Sequence, residues 1–185
     1  MSTLTVVLLA VVAVLAVMAV AAVRAAVRLR GKRVVTCPET RAAAAVDMDL
    51  RYAAFGAAFG RPVLKLAACS RWPERGRCGM PCLDQIEASP EECLVRGILA
   101  RWYHDKRCVY CRAAFGDIHW HDHKPALLAP DDRLVEWRDL APESLPAVLE
   151  THRPVCWNCL IVQTLHRQRP DLFEFRPPRP GVRAV

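Results

Sequence analysis

Two Cys-x-x-Cys pairs, Cys108-Val109-Tyr110-Cys111 and Cys156-Trp157-Asn158-Cys159, constrain this chain more than any other feature; 44 residues separate them. One such pair serves redox chemistry as readily as metal binding. Two pairs in one small domain supply four thiolates, the complement that closes a tetrahedral zinc site. A fold that gathers Cys108, Cys111, Cys156 and Cys159 must double the intervening chain back on itself.

Composition shows why such a tie is needed. The chain has 185 residues, and its apolar content of 53% is inflated by one N-terminal run. All nine cysteines, 14 prolines and five tryptophans follow that run. A small domain with a modest core usually needs a metal or disulfides to hold it together.

The run itself, Leu4 to Val23, contains a single polar side chain, Thr5. Twenty helical residues reach roughly 30 Å, the thickness of a bilayer's hydrocarbon core. No charge precedes the run, and Arg24, Arg28, Arg30, Lys32 and Arg33 follow it. The positive-inside rule then sets a single-pass anchor with the C-terminal side in the cytoplasm. Ala19-Val20-Ala21 offers the rival reading, a signal-peptide cleavage site. Against it stand the missing basic n-region and an apolar run too long for an h-region. The chain thus divides into an N-terminus (1–3), a transmembrane helix (4–23) and a basic juxtamembrane segment (24–33). A cysteine-rich part (34–107), a second cysteine part (108–168) and a disordered Pro/Arg-rich tail (176–185) complete it.

Of the net charge of +7, residues 24–33 supply +5. A cluster beside a membrane is explained by topology and by anionic headgroups, so the charge argues for a membrane partner and against nucleic acid. Cytosolic thiols stay reduced, which favours metal ligands over disulfides.

Local signals outline an α+β chain. Val34–Thr36 reads as a strand running into Cys37-Pro38-Glu39-Thr40, with Ala45–Leu50 pairing back. Arg51–Phe59 reads as a short helix ended by Gly60 and Pro62, Val63–Leu66 as a strand leading to Cys69, and Ser70–Pro81 as a loop. Ser89, Pro90 and Glu92 form a capping box for a helix reaching Lys106, with an apolar stripe at Leu94, Val95, Ile98, Leu99 and Trp102. Between the Cys pairs, Ile118–His121 and Leu134–Trp137 read as strands flanking a turn at Pro130–Asp132. A short helix at Leu145–Thr151 and a final helix from Trp157 to about Gln168 follow.

Cys37, Cys69, Cys78 and Cys82 fall at strand ends or in the loop, where thiolates can converge. They form a second candidate site, for zinc or an iron–sulfur cluster, so that the chain holds one or two metal ions. Cys93, in the capped helix, reads as a core residue. On a strand, His119, His121 and His123 would share one face. They then offer either a metal or substrate site or a solvated hairpin with Trp120 turned to the core.

The order knuckle, hairpin, helix, with a cysteine pair at the knuckle and another at the helix start, resembles a treble-clef zinc finger. Asp122-His123 followed by Pro125, between the two pairs, resembles the HNH endonucleases over residues 108–167. That resemblance implies an Asp-His pair supplying a metal ligand and a base for water, with His166 as a helix ligand. The chain departs from it in lacking a Gly-Gly after the Asp-His segment and in placing Leu160 where that family has Asn. Residues 34–167 also resemble an uncharacterised bacterial family of membrane-anchored, cysteine-rich proteins. The shared stretches are Cys37–Thr40, Cys69–Glu74, Glu91–Leu94 and Val155–Cys159. This resemblance implies the cysteine framework and no activity. The expected function is accordingly a membrane-anchored zinc-binding interaction or scaffold protein for an unknown protein partner, with no catalytic residue assigned. The alternatives are an iron–sulfur electron-transfer or redox-sensing protein and an HNH-like metal-dependent nuclease.

Overall fold

Apolar on every side, helix α1 (Thr3–Leu29) runs past the expected span and takes Arg24 and Arg28 into its last turns. The computed structural model to which it belongs describes residues 2–61, 63–74 and 78–173. The tail expected to be disordered from residue 176 lies outside them. Gly31, at φ +106°, turns the chain back after α1. Arg33 then folds onto the helix end it has just left. Its Nη1 donates to the carbonyls of Leu29 (2.6 Å) and Gly31 (3.0 Å), and its Nη2 to that of Arg28 (3.0 Å). The last carbonyls of a helix lack intrahelical partners, and a cation there also meets the negative end of the dipole. Arg33 is fully buried. It is a structural cap and not one of a row of solvated juxtamembrane charges.

The chain forms two compact units, Met1–Arg101 with Leu140–Val148, and Trp102–Asp139 with Leu149–Val185. The first is built on an antiparallel sheet in the order β1 (Arg33–Thr36), β2 (Ala43–Met48), β3 (Leu66–Cys69). Val34 pairs with Ala45, as the sequence leads one to expect. Alternate residues of β2, Ala44, Val46 and Met48, enter a core with Leu29, Val35, Leu66 and Ile86. Helix α2 (Leu50–Ala58) starts on Asp49, whose carboxylate accepts the Tyr52 N–H. The third strand begins at Leu66 and not at Val63. A bulge at Asp47/Met48 shifts the register, and the Asp49 N–H takes the Lys65 carbonyl at 2.8 Å, closing the pairing there.

Two further corrections concern residues 83–104. Helix α3 (Leu83–Ala88) carries no sequence signal that marks it. It is held by Gln85, whose side chain accepts from Thr36 N–H and donates to Thr36 O, completing the end of β1. Ser89 closes α3, and helix α4 (Val95–His104) begins six residues after the expected cap. The backbone of 93–95 is used elsewhere: Val34 N–H donates to Cys93 O, and Val95 N–H to Lys32 O. A strand edge that needs partners thus overrides a local capping box. Gly97 belongs to this arrangement, since a Cβ there would stand 2.5 Å from the Glu91 carbonyl oxygen.

In the second unit the sheet order is β5 (Leu134–Val135), β4 (Ala126–Leu128), β6 (Arg153–Val155). Helix α5 (Leu145–Thr151) precedes β6, and α6 (Trp157–Gln168) follows it. The strand expected at Ile118–His121 is absent; those residues are irregular, with a turn through 120–122. The hairpin partner of β5 is β4, whose other edge is filled by β6, so the central strand has no edge left for residues 118–121. All three residues of β4 are buried. Their layer is pinned by Tyr103, whose hydroxyl donates to Ala126 O at 2.7 Å.

Candidate metal centre

The first cysteine pair sits in a tight turn just beyond α4. Cys108 N–H donates to Ala113 O at 2.9 Å and Arg112 N–H to Cys108 O at 3.0 Å, while Arg112 takes φ +60° to complete the reversal. Left-handed backbone is costly for a residue with a Cβ, so the turn is held by these bonds rather than by its own preference. The second pair straddles the start of α6. Cys156 occupies the cap position in extended conformation, and Cys159 lies in the first turn. One long-range bond, Val109 N–H to Pro154 O at 3.0 Å, docks the turn against β6.

Four sulfurs meet there. The Sγ atoms of Cys108, Cys111, Cys156 and Cys159 all lie within 4.8 Å of one another, and Cys111 and Cys156 approach to 3.6 Å. A zinc–sulfur bond of about 2.3 Å implies sulfurs about 3.8 Å apart around a tetrahedron. The group is therefore at ligand spacing, and four thiols match a thiophilic ion in number and kind. Cys108 is buried, Cys156 and Cys159 are half-buried, and Cys111 is exposed.

The electrostatics fit the same use. Burial by itself raises the Cys108 thiol, but N–H groups of Cys156, Cys111 and Tyr110 outweigh it and bring the pKa down to about 7. One of these contacts is explicit, Cys156 N–H to Cys108 Sγ at 3.4 Å. Cys156 and Cys159 are pushed up, first by burial and then by neighbouring thiols. Four sulfurs at this spacing cannot all ionise alone, and a cation at their centre removes the conflict. Ala126, Leu128, Val155 and Leu160 form the apolar cluster against which Val109, Trp157 and Cys159 pack.

The other candidate residues are placed differently. Cys37, Cys69, Cys78 and Cys82 lie together in the first unit and line one small cavity. Cys82 is raised by burial and then by the nearby Cys69, Cys78 and Cys37. Cys93 is not in a helix but in the segment bridged to β1; it packs against the core, with its Sγ 3.7 Å from Gln85 O. Among the described residues, the C-terminal thiols are the one group of such ligands gathered to within 4.8 Å.

His119, His121 and His123 do not share a strand face. His119 and His123 stand with ring centres 6.4 Å apart, and His123 meets the edge of Trp157 at 5.8 Å. Asp122 lies 3.3 Å from His123 Nδ1 with both side chains exposed. The His123 N–H, above all, holds the Asp122 carboxyl below its ordinary value. His166 is exposed in the last turn of α6. Asp122 and His123 meet as a pair, but among the described residues no group of three or more of these histidines and carboxylates gathers at ligand spacing.

Sequence reasoning missed Arg33 as a cap and Tyr103 as the anchor of β4. Neither had a usable signal, because each acts on backbone carbonyls that only the fold brings near. The chain matches no family model, no curated protein and no solved structure.

Proposed function

We propose that this chain is a membrane-anchored, zinc-binding interaction protein, its C-terminal unit a treble-clef-like finger. The observation that carries the proposal is the gathering of Cys108, Cys111, Cys156 and Cys159 by a turn and a helix start. The sequence of knuckle, β4–β5 hairpin and α6 supports the treble-clef reading. Four thiolates with no open position favour structural zinc over catalytic zinc, which keeps a site for water.

The anchor is supported by α1, long and apolar enough to cross a bilayer. A signal sequence passes the same test, but cleavage beside Ala21 would cut a helix that continues unbroken to the buried Leu29. Arg24, Arg28, Arg30 and Lys32 remain for the positive-inside rule, which sets the C-terminal units in the cytoplasm. The test is to purify the full chain in detergent and measure bound metal. Zinc retained by wild type and lost with Cys156→Ser is expected. A metal-free wild type that stays folded refutes the centre, and a mature chain beginning near Ala22 refutes the anchor.

A further inference from the structure

We propose that Cys37, Cys69, Cys78 and Cys82 hold a second, mononuclear thiophilic metal ion within the first unit. The site rests on none of the C-terminal residues. All four cysteines line one enclosed cavity of about 20 Å³, which also touches Val35, Leu66, Trp72 and Pro81. A cavity of that size has room for about one atom-sized guest. An iron–sulfur cluster, with several irons and bridging sulfides, would need the walls to move further apart than a single ion does. The volume therefore favours a single ion over a cluster.

The backbone around each thiol has the form a ligand needs. Cys37 closes a tight turn, with Cys37 N–H donating to Ala42 O at 2.8 Å and Arg41 N–H to Cys37 O at 2.7 Å. Arg41 takes φ +55° to complete it. Cys69 ends β3 in a turn of its own, Trp72 N–H donating to Cys69 O. The Met80 N–H points at Cys78 Sγ at 3.3 Å, the contact that stabilises a thiolate. The four residues line the cavity without their ligand atoms meeting at the spacing of the C-terminal group, so binding turns the side chains inward. Cys93 does not line the cavity, which sets it apart from the ligands.

The test is metal content of the full chain in detergent, with cobalt substituted for zinc to read thiolate coordination. Wild type should bind two equivalents. Cys82→Ala should lose one and keep the other, Cys156→Ser should do the reverse, and Cys93→Ala should keep both. Cys78→His guards against misfolding: it should retain both ions while losing one thiolate's share of the cobalt charge-transfer absorption. One equivalent in wild type that survives Cys82→Ala overturns this site and leaves the C-terminal centre standing. One equivalent that survives Cys156→Ser does the opposite. Iron and sulfide in place of a single ion, or an unchanged cobalt spectrum in Cys78→His, also overturns the proposal.

A separate observation carries a second inference, which rests on the reading of α1 as a retained anchor. On α2 and just after it, Tyr52, Phe55, Phe59 and Val63 are 45%, 69%, 63% and 47% exposed, and together they line an open apolar pocket. We infer that this face lies in the headgroup–acyl boundary of the membrane. Helix α2 packs on α1. Leu50 joins the cluster around Leu29, and Ala57 lines a cavity with Arg24 and Ala25, so α2 runs back along α1 toward its apolar part. The partly buried positions of α1 are Met18, Ala21, Ala22, Ala25 and Ala26, a helical stripe of mostly small residues that reaches into the expected span. The aromatic face thereby continues an apolar surface already assigned to lipid. Arg51, Arg61 and Lys65 flank it, with Lys65 Nζ 5.4 Å from the Tyr52 ring centre, a charge pattern suited to lipid phosphates. Aromatic side chains beside basic ones favour this zone of a bilayer.

Full-length Val12→Trp and Phe59→Trp variants, reconstituted in nanodiscs containing anionic and brominated lipid, test the placement. Each added tryptophan, read as the difference from wild type, should lose emission to the bromines. Quenching at position 12 without quenching at 59 overturns the interfacial face while leaving the anchor intact. That result together with self-association through α2 would assign the face to a second copy of the chain. Quenching at neither position overturns both.

Discussion

Cys108, Cys111, Cys156 and Cys159 are gathered by two local devices, a turn and a helix start. Cys37, Cys69, Cys78 and Cys82 come from two strand ends and a loop, and they surround a cavity rather than meeting. In the first group each pair is positioned by a handful of neighbouring residues, and one docking contact finishes the work. In the second group Cys78 and Cys82 are four residues apart, but Cys37 and Cys69 join each other only once a three-stranded sheet has formed. The surrounding structure differs in the opposite sense. The second unit's strands hold only two or three residues each, whereas those of the first hold four to six, and β2 alternates into an apolar core. Where the cysteine group is locally built, the apolar cluster beside it is small; where it is globally built, the sheet carries a larger core.

Metal removal tests that contrast with the largest effect. Structural zinc in small fingers is worth on the order of 10 kcal/mol, comparable to a whole domain's stability. Chelation should therefore unfold the second unit while the sheet of the first survives. Hydrogen exchange reads both at once: amides of Leu127 and Val155 should lose protection, and those of Val35 and Val46 should keep it. Loss of both units together would show that the first also needs its ion to fold.

The same contrast explains what was legible in the sequence. The C-terminal site could be read because its geometry is written in two short spacings, and α5, α6 and the turn at Pro130–Asp132 follow from equally local patterns. The N-terminal cysteines could be named as a set, but spacing gave no means of choosing an ion, and it took the fold to show that they line one cavity. Elsewhere local signals lost to non-local needs. The box at Ser89 yielded because the edge of β1 takes the backbone of 93–95. In place of the expected strand at 118–121 the chain makes a turn, and β4 pairs instead with β5 and with β6, a three-residue segment containing Pro154. The three-histidine face disappeared with that strand.

Arg33 offers a way to perturb the first unit without touching any thiol. Replacing it with Met keeps the stem's volume and removes three charge-assisted bonds to the carbonyls of Arg28, Leu29 and Gly31. The cost should be about 3 kcal/mol, because the end of α1 is left short of donors. Denaturant unfolding followed through the first unit should show that loss. Zinc content at the C-terminal centre should not change. Arg33→Lys should recover only part of the stability, since a single ammonium nitrogen cannot reproduce the two spaced nitrogens that reach three carbonyls. Full recovery would mean that charge, and not the fork, secures the helix end.

The smallest effect isolates what the second unit owns besides its metal. Tyr103 is fully buried, and its hydroxyl donates to Ala126 O. Tyr103→Phe in the zinc-loaded protein should cost about 1–2 kcal/mol, the price of leaving a buried carbonyl without its partner. Burial pushes the phenol well above its ordinary range, so only the neutral form is tolerated in the folded state. An unfolded tyrosine ionises near about pH 10. The folded value is the higher one, so the contribution is fully present below about pH 10 and is lost as pH rises past it. The slope approaches about 1.4 kcal/mol per pH unit for one group. Denaturant unfolding of wild type and Tyr103→Phe at a series of pH values from neutral to strongly alkaline checks this. Their stability difference should shrink above that point, because only wild type carries the penalty of a phenol that must stay protonated. A difference that is independent of pH would mean that the phenol ionises as readily folded as unfolded, and a difference near zero throughout would mean that Tyr103 anchors β4 by packing against Phe115 and Trp102 rather than by its hydroxyl.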